Sequence, residues 1–208
     1  MIYFWIILFL LFTYLFASIP TGYIVVKVLK GIDIRTVGSG NIGATNVNRV
    51  LGIKWFIFVL IFDALKGYLP VFISKILFKD ILLVPIFSGI AAILGHTFTV
   101  FLNFKGGKGV ATSFGVFLAL APISLISSFI IFIIVLFLFK YISLSSIIAS
   151  ILFPAFVFIY GETGYLNIIL YFSLLASIFI IYKHKENIKR LLTGNENRFE
   201  IKAKKKVK

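Results

Sequence analysis

The sequence predicts an all-α integral membrane protein with seven transmembrane helices, and three observations lead to this fold class. Apolar residues make up 61% of the 208-residue chain, well above the roughly 45–50% of soluble domains. The mean hydropathy is +1.10. The charged residues lie mostly between or after long apolar runs. A bilayer can accommodate so much apolar surface because its hydrocarbon is itself the apolar phase.

Five apolar runs are long enough to be spans on their own, since ~20 residues cross ~30 Å of hydrocarbon. The runs are Ile2–Val26, Trp55–Ile73, Ile81–Leu102, Leu144–Tyr160 and Tyr165–Tyr182. The first run is not preceded by the basic region of a signal peptide, and no small-residue cleavage site follows it. We therefore expect an uncleaved N-terminal span.

A sixth apolar stretch, Val110–Phe139, contains 30 residues and no charge. Pro122 lies near its middle, where it removes a backbone donor and disfavours helix at Ala121. The stretch is either one long tilted helix or two short helices that meet at a tight turn.

The distribution of basic residues favours the turn. With a turn near Pro122, one side of the membrane carries 18 Lys and Arg, and the other carries only Lys75 and Lys79. The positive-inside rule then predicts seven helices, with the N-terminus outside and the C-terminus inside. We expect one seven-helix domain over residues 1–199 and a basic cytoplasmic tail over 200–208.

The net charge of +14 does not indicate a nucleic-acid-binding protein. Ten of the 21 Lys and Arg follow Tyr182, and basic residues beside a span typically contact anionic lipid. The chain has no cysteine, which excludes disulfides and thiolate metal sites.

Three polar, mostly glycine-rich segments lie on the predicted cytoplasmic side: residues 38–46, 95–112 and 184–197. A plain connector between bundle helices needs only ~2–8 residues. We therefore predict that the three segments form one site rather than serve as three connectors.

The first segment, GSGNIGATN, resembles a dinucleotide fingerprint, but no strand precedes it and no acidic residue follows at the required spacing. Its glycines would let backbone N–H groups approach an anion closely. Arg49 follows and can bind phosphate bidentately. The candidate side-chain donors are Ser39, Asn41, Thr45 and Asn46. The alternative is a turn that caps the next helix.

The second segment contains Lys105, Gly106, Gly107, Lys108 and Gly109. It is not a Walker A loop, because no Ser or Thr follows the second Gly-Lys. Two cations just before a helix predict an anion site. The alternative is a charged turn that anchors the chain at the membrane surface.

Four further polar residues have both a structural and a functional interpretation. His184 and Asn187 are spaced i, i+3 and should share a face of the last turn of the seventh helix, unless they belong to a solvated tail. His96 is more typical of a structural donor than of a catalyst. Asp63 and Lys66, inside the second span, indicate a buried ion pair, with an ion or proton pathway as the alternative.

The strings SGNIGATNVNRVLG, GHTFTVFLNFKGGKGVATSFG and HKENIKRLLTGNENR resemble the signature segments of the bacterial membrane-integral acyl-phosphate:glycerol-3-phosphate acyltransferases. The resemblance covers nearly the whole chain, including the order of the motifs. It implies a multi-pass enzyme of the bacterial cytoplasmic (inner) membrane with its site on the cytoplasmic face. The tail after Phe199 looks like a variable extension.

The resemblance also implies a reaction in which an acyl group moves from acyl phosphate to the 1-hydroxyl of glycerol 3-phosphate. The products would be lysophosphatidic acid and phosphate, in the first acylation of phospholipid synthesis. Neither histidine is followed by Asp five residues later, so the His-x₄-Asp motif of the other acyltransferase class is missing. This agrees with what the resemblance implies, namely that acyl-CoA and acyl carrier protein are not donors and that no cofactor or metal takes part.

The family's site can be carried over onto this sequence. The expected catalytic residues are Ser39, Arg49, Lys108, His184 and Asn187. The expected substrate-binding residues are Gly40, Asn41, Thr45, Asn46, Lys105, Gly106, Gly107 and Ser143. The hydroxyl proton has two possible acceptors, His184 and the donor phosphate itself. The substrates and membrane lipid are the expected partners.

The competing hypothesis is a small membrane transporter for a phosphorylated solute, which would also use cationic loops and intramembrane charges. Against it, the polar motifs lie on one predicted side, whereas alternating access needs a site near the midplane and often uses inverted repeats.

Overall fold

The computed structural model describes residues 1–161 and 166–199, and the regular secondary structure of these residues is helical throughout. This confirms the all-α prediction. The helices are α1 Ile2–Ser18, α2 Thr21–Lys30, α3 Ala44–Leu51, α4 Ile53–Leu77, α5 Leu83–Thr97, α6 Val110–Leu120, α7 Pro122–Phe139, α8 Ile142–Tyr160, α9 Leu166–Lys183 and α10 Lys185–Leu192. Short 3₁₀ turns lie at Ile34–Thr36 and Val100–Leu102. The predicted tail 200–208 lies outside the described residues, as does most of the predicted connection Gly161–Gly164.

Five helical segments among the described residues are long and apolar enough to cross a membrane, and the bent pair α9–α10 is a sixth candidate. The five segments are Ile2–Lys30, Ile53–Leu77, Leu83–Leu102, Pro122–Phe139 and Ile142–Tyr160. Helix α6 is apolar but has only 11 residues, about 16 Å at 1.5 Å per residue. The protein is thus an integral membrane protein with several apolar helices, while the count of seven spans and the sidedness of the termini stay predictions.

The apolar stretch around Pro122 forms two helices. Ala121 has φ −146° and ψ 70°, outside the helical region, and Pro122 is the first residue of α7. Proline suits this position because its missing N–H would lack an intrahelical partner there anyway. The two-helix interpretation is therefore confirmed.

The first apolar run is interrupted, although we predicted a continuous helix over Ile2–Val26. Helix α1 ends at Ser18, Ile19 has φ −55° and ψ 114°, and α2 begins at Thr21. The reason is Pro20, which disfavours helical geometry at the residue before it. The break leaves the Ile19 carbonyl available to a partner from another helix.

The helices form two units, and each has its own packing. In the first, Met1–Val116, α5 lies between α1 and α4, and α3 packs against α4. Helices α4 and α6 approach closely because Gly67 and Gly115 lie at their contact. A Cβ atom on Gly115 would collide with the Ala64 carbonyl, and one on Gly67 with the Thr112 carbonyl.

In the second unit, described over residues 117–161 and 166–199, α8 lies between α7 and α9. Serine hydroxyls join these helices. Ser128 Oγ donates to the Ala149 carbonyl at 2.7 Å, and Ser177 Oγ donates to the Ser150 carbonyl at 2.6 Å. Such interhelical bonds stabilise helix bundles in lipid. The hydrophobic effect does not drive helices together there, because the acyl chains of the lipid are as apolar as the side chains.

Candidate active site

Residues 31–43 connect α2 to α3, and we call this segment the serine loop after Ser39. The buried side chain of Asn46 holds it. Asn46 Oδ1 accepts from the Ser39 N–H at 2.9 Å. Asn46 Nδ2 lies 2.9 to 3.2 Å from the carbonyls of Ile34, Val37 and Asn41. Asn46 thus connects α3 to four points of the loop, and its predicted direct contact with substrate stays a prediction.

The backbone N–H groups of the serine loop are largely used within the loop. The Gly40 N–H donates to the Val37 carbonyl at 3.1 Å, and the Gly43 N–H donates to Asn41 Oδ1 at 2.9 Å. With the Ser39 N–H on Asn46 Oδ1, three of the amides expected to face an anion already have protein partners. The glycines instead allow the loop to turn: Gly38 and Gly40 have φ of 62° and 70°, a backbone conformation in which other residues are strained.

An apolar cluster lies beneath the serine loop. It joins Val26 of α2 and Val47 of α3 with Ile34 and Ile42 of the loop, all buried. Leu102, on the turn that leads into the second glycine-rich segment, belongs to the same cluster. Both polar segments of the first unit therefore pack on the same apolar cluster, and that they form one site stays a prediction.

Residues 103–109 lead from that turn to α6, and we call them the lysine loop. The loop pairs with the end of α5: the Gly106 N–H donates to the Thr97 carbonyl at 3.0 Å, and the Gly107 N–H to the His96 carbonyl at 3.1 Å. These two amides thus already have acceptors at the end of α5, and the expected contact of Gly106 and Gly107 with substrate stays a prediction. A Cβ atom on Gly106 would collide with the His96 carbonyl.

Because the amides of Gly40, Gly43, Gly106 and Gly107 bond protein acceptors, side chains are the stronger candidates for binding an anion in the first unit. Ser39 is exposed on its loop, and Lys105 is exposed. Arg49, Thr45 and Lys108 are half-buried. A partly buried guanidinium or ammonium interacts more strongly with an anion than an exposed one, because water screens it less. Arg49 and Lys108 are thus the stronger candidates.

In the second unit, His184 lies at a bend rather than within a continuous helix, which corrects our prediction that His184 and Asn187 share the last turn of one helix. Helix α9 ends at Lys183 and α10 begins at Lys185, with an angle of 58° between them. The sequence changes there from an apolar span to a short helix with four charged residues in its first six positions. Helix α10 therefore has only one apolar face, whereas the span before it is apolar all round.

His184 is only 3% exposed, so it is not part of a solvated tail. Its Nδ1 lies 2.8 Å from the Ile180 carbonyl. A carbonyl can only accept, so this contact requires a proton on Nδ1. The neutral ring then carries its lone pair on Nε2, as a proton acceptor needs.

Asn187 and Ser143 both bind the carboxylate of Glu196. Asn187 Nδ2 donates to Glu196 Oε1 at 2.7 Å, and Ser143 Oγ donates to the same oxygen at 2.8 Å. Arg190 Nε donates to Glu196 Oε2 at 2.7 Å. The carboxylate thereby joins α8, α10 and the segment that follows α10.

Burial of the Glu196 carboxyl by itself raises its pKa. The hydrogen bonds from Arg190, Asn187 and Ser143 favour the charged form and outweigh burial, so the pKa lies below its ordinary value. Glu196 is therefore ionised at neutral pH, as a carboxylate that accepts three charge-assisted bonds should be.

Glu196 was missed in the sequence, although it lies within the third motif string. The available signal was an acidic residue in a strongly basic segment, since a carboxylate there has cations to pair with. The predicted ion pair of Asp63 and Lys66 is confirmed, with 2.8 Å between Oδ1 and Nζ and both side chains buried.

The structure groups the predicted residues within each unit. The serine loop, Arg49 and the lysine loop belong to the first unit, and Ser143, His184 and Asn187 belong to the second. That all of them bind one pair of substrates stays a prediction.

The chain matches a family model described as glycerol-3-phosphate acyltransferase over residues 7–194. A glycerol-3-phosphate acyltransferase from Fusobacterium nucleatum is 46% identical, with 93% of this chain and 97% of that protein covered. The enzyme of the same name from Aquifex aeolicus is also 46% identical, with 91% and 96% covered.

Two solved structures are similar over 94% of this chain and 96% of theirs. Both are of PlsY (YgiH), an integral membrane glycerol 3-phosphate acyltransferase. The glycerol 3-phosphate form has 44% sequence identity and a TM-score of 0.87, and the lysophosphatidic acid form has 42% and 0.84. The fold, its motifs and these relatives agree: this chain belongs to the glycerol-3-phosphate acyltransferase family.

Proposed function

We propose that this protein transfers a fatty acyl group from acyl phosphate to the 1-hydroxyl of glycerol 3-phosphate, giving lysophosphatidic acid and inorganic phosphate. Family membership supports the acceptor, and the solved relatives in glycerol 3-phosphate and lysophosphatidic acid forms support acceptor and product. The three motif strings and the missing His-x₄-Asp motif support acyl phosphate as donor. The enzyme would act at the cytoplasmic face of the bacterial inner membrane, in the first acylation of phospholipid synthesis.

One observation carries the proposal: the serine loop and the turn before the lysine loop share a single apolar cluster. This shared base keeps the exposed Ser39 hydroxyl and the Lys108 ammonium on neighbouring segments, beside the helix that carries Arg49. Both proposed substrates are phosphates, so a region with this charge attracts both. A cationic guanidinium can bind phosphate through two parallel hydrogen bonds.

The proposed roles follow the chemistry of each side chain. Arg49 and Lys108 hold the phosphate of glycerol 3-phosphate, and Ser39 with Gly40 and Asn41 contacts the phosphoryl group of the donor. The remaining members of the proposed site are Thr45, Asn46, Lys105, Gly106, Gly107, Ser143, His184 and Asn187. Among these, Gly106, Gly107 and Asn46 contribute the backbone shape of their loops rather than direct bonds.

The reaction needs little more than position and charge stabilisation. The 1-hydroxyl oxygen forms a bond to the acyl carbon, the bond from that carbon to the phosphate oxygen breaks, and phosphate leaves with the electron pair. Bringing two anions together in a reactive geometry can contribute up to ~7–11 kcal/mol. Cations near the carbonyl oxygen and the leaving phosphate stabilise the negative charge that develops there.

The hydroxyl proton goes either to Nε2 of His184 or to an oxygen of the donor phosphate. The hydrogen bond from His184 Nδ1 to Ile180 supports the first, because it leaves Nε2 as the basic nitrogen. A histidine acceptor would make the rate fall as the ring protonates at low pH. In a His184→Gln variant with residual activity, that acid limb would disappear.

The deciding experiment uses the full-length protein, purified in detergent, with palmitoyl phosphate and radiolabelled glycerol 3-phosphate. We expect lysophosphatidic acid and an equal amount of phosphate. A transporter would form no product in detergent and would move solute only across a sealed membrane. Product from palmitoyl-CoA but not from palmitoyl phosphate would overturn the proposed donor.

A further inference from the structure

Three ionisable side chains are buried together between α4 and α5. Asp63, Lys66 and His96 are 3%, 4% and 5% exposed. Asp63 Oδ1 lies 2.8 Å from Lys66 Nζ and 3.9 Å from His96 Nδ1. Charged groups inside a membrane span are costly, and they are typically retained for a purpose. The proposed reaction gives these three no role, so their contacts indicate what they do.

His96 contacts the lysine loop in two ways. Its carbonyl accepts the Gly107 N–H at 3.1 Å. Its ring lies so close to the same residue that a Cβ atom on Gly107 would collide with His96 Nε2. The imidazole therefore packs directly against the backbone of the lysine loop at Gly107, one residue before Lys108.

Lys66 reaches in the other direction, toward the break between α1 and α2. Its Nζ donates to the Ile19 carbonyl at 2.9 Å. Helix α2 begins at Thr21, and a Cβ atom on Gly22 would collide with the carbonyl of Ile42 in the serine loop. The first turn of α2 thus connects the Lys66 contact with the serine loop.

We propose that the Asp63–Lys66 ion pair is a shared support that positions both loops, acting on the lysine loop through His96 and on the serine loop through Ile19 and α2. The three side chains are positioning residues for the proposed acyl transfer, and to that extent the inference rests on the proposed function. The pair is neutral as a whole, so it fixes geometry without changing the charge that the loops present to substrate. Two loops held by one support keep a constant separation, which a reaction between two bound molecules requires.

The test compares backbone hydrogen exchange in the wild type with that in the Asp63→Asn/Lys66→Met double variant, using full-length protein in detergent. The double change removes both charges, so neither is left buried without its partner. We expect peptides that cover residues 38–46 and 103–110 to exchange about ten-fold faster or more, since they would open locally without global unfolding. Peptides from α8 should be unchanged. Ser74→Ala is the matched control, because Ser74 is buried on α4 and its hydroxyl bonds the Val71 carbonyl of its own helix.

Kinetics supply the second measurement. We expect the double variant to raise the KM for both substrates about ten-fold or more with a smaller change in kcat, because misplaced loops bind less well. His96→Gln should loosen only the lysine loop. Faster exchange in both loops of the double variant supports the shared support, whereas faster exchange in one loop or in neither overturns it.

If the double variant does not fold, Asp63→Glu replaces it. That side chain keeps the ion pair but shifts the carboxylate by one methylene relative to His96, so the lysine loop should exchange faster. Unchanged exchange there overturns the proposal. Exchange is measured without substrate, so a wild-type protein that makes no lysophosphatidic acid would overturn the proposed function and leave this result intact.

Discussion

The carboxylate of Glu196 accepts a hydrogen bond of 2.7 Å from the side-chain amide of Asn187. The bond joins α10 to the segment that follows it, and the same oxygen accepts from Ser143 on α8. Asn187 is a proposed catalytic residue, so its orientation depends on a carboxylate that does not itself contact substrate in our proposal. Such a partner fixes the rotamer of a functional side chain.

Replacing Glu196 should destabilise the second unit. In Glu196→Gln the amide oxygen can still accept from Asn187, but the NH₂ group faces the donor Nε of Arg190. Loss of a hydrogen bond to a charged group costs about 1.5–3 kcal/mol, so we expect a lower midpoint of thermal unfolding and reduced activity. Glu186→Gln, a change at an exposed carboxylate on α10, is the control and should alter neither. Equal unfolding midpoints for the two variants would contradict the role of Glu196.

The contribution of Glu196 should depend on pH. Its pKa in the folded protein lies below the ordinary value of 4.5. A lowered pKa means that the stabilisation is complete above 4.5 and is lost as the pH falls through the folded value. We expect the difference in unfolding midpoint between wild type and Glu196→Gln to be constant from pH 8 to pH 6 and to shrink toward pH 3.5. A difference that grows on acidification would show the opposite sign and refute the assignment.

Removing His184 should abolish most of the activity. General acid–base catalysis contributes about 10²–10⁴-fold, so His184→Ala should lose at least a hundred-fold in kcat. Lys185→Gln, a change at the exposed neighbour, should retain most activity. The measurement is phosphate release from palmitoyl phosphate at saturating glycerol 3-phosphate. Turnover near that of the wild type in His184→Ala would remove this residue from the catalytic set.

The two lysines of the lysine loop should differ. Lys108 is half-buried and Lys105 is exposed, and water screens the exposed charge more strongly. We expect Lys108→Met to lower kcat/KM for glycerol 3-phosphate about a hundred-fold or more, and Lys105→Met to lower it less than ten-fold. Raising the salt concentration should affect the wild type only weakly if Lys108 carries the interaction. Equal losses in the two variants would contradict this ranking.

Asn46→Asp should disrupt the serine loop. The carboxylate can still accept from the Ser39 N–H, but its second oxygen would face the carbonyls of Ile34, Val37 and Asn41. Unpaired buried polar groups cost about 1–3 kcal/mol, so we expect lower stability and a rise in KM for the donor. Asn195→Asp is the control, because Asn195 is exposed. If Asn46→Asp kept wild-type stability and kinetics, Asn46 would not hold the loop.

The prolines show how far sequence reasoning extends to the fold. Pro122 begins α7 and Pro20 lies between α1 and α2, whereas Pro70 and Pro154 lie inside α4 and α8 without ending them. All four lie within long apolar runs, so hydropathy alone does not separate them. In a membrane bundle, neighbouring helices decide whether a proline breaks a helix, because they can re-satisfy the freed backbone groups. We therefore predicted the break at Pro122 from charge and missed the one at Pro20.

The glycine-rich loops show the same division for the site. The glycine content indicated that these segments need unusual backbone conformations, and Gly38 and Gly40 do adopt positive φ. It also suggested that their amides bind an anion, but those of Gly40, Gly43, Gly106 and Gly107 bond protein acceptors. Which acceptor an amide finds depends on what packs beside it, such as the end of α5, and sequence spacing does not contain that.

By itself, the sequence determined the membrane class, the helical fold, the three polar segments and the buried Asp63–Lys66 pair, because hydropathy and charge are properties of local stretches. Only the tertiary structure decided that Glu196 bonds both Asn187 and Ser143, that His184 lies at a bend, and that His96 contacts the lysine loop at Gly107. One of them, the bond between Ser143 and Glu196, joins residues 53 positions apart, and none of them follows from hydropathy or charge. They depend on how helices pack, and packing is fixed by the shape of all the side chains at once.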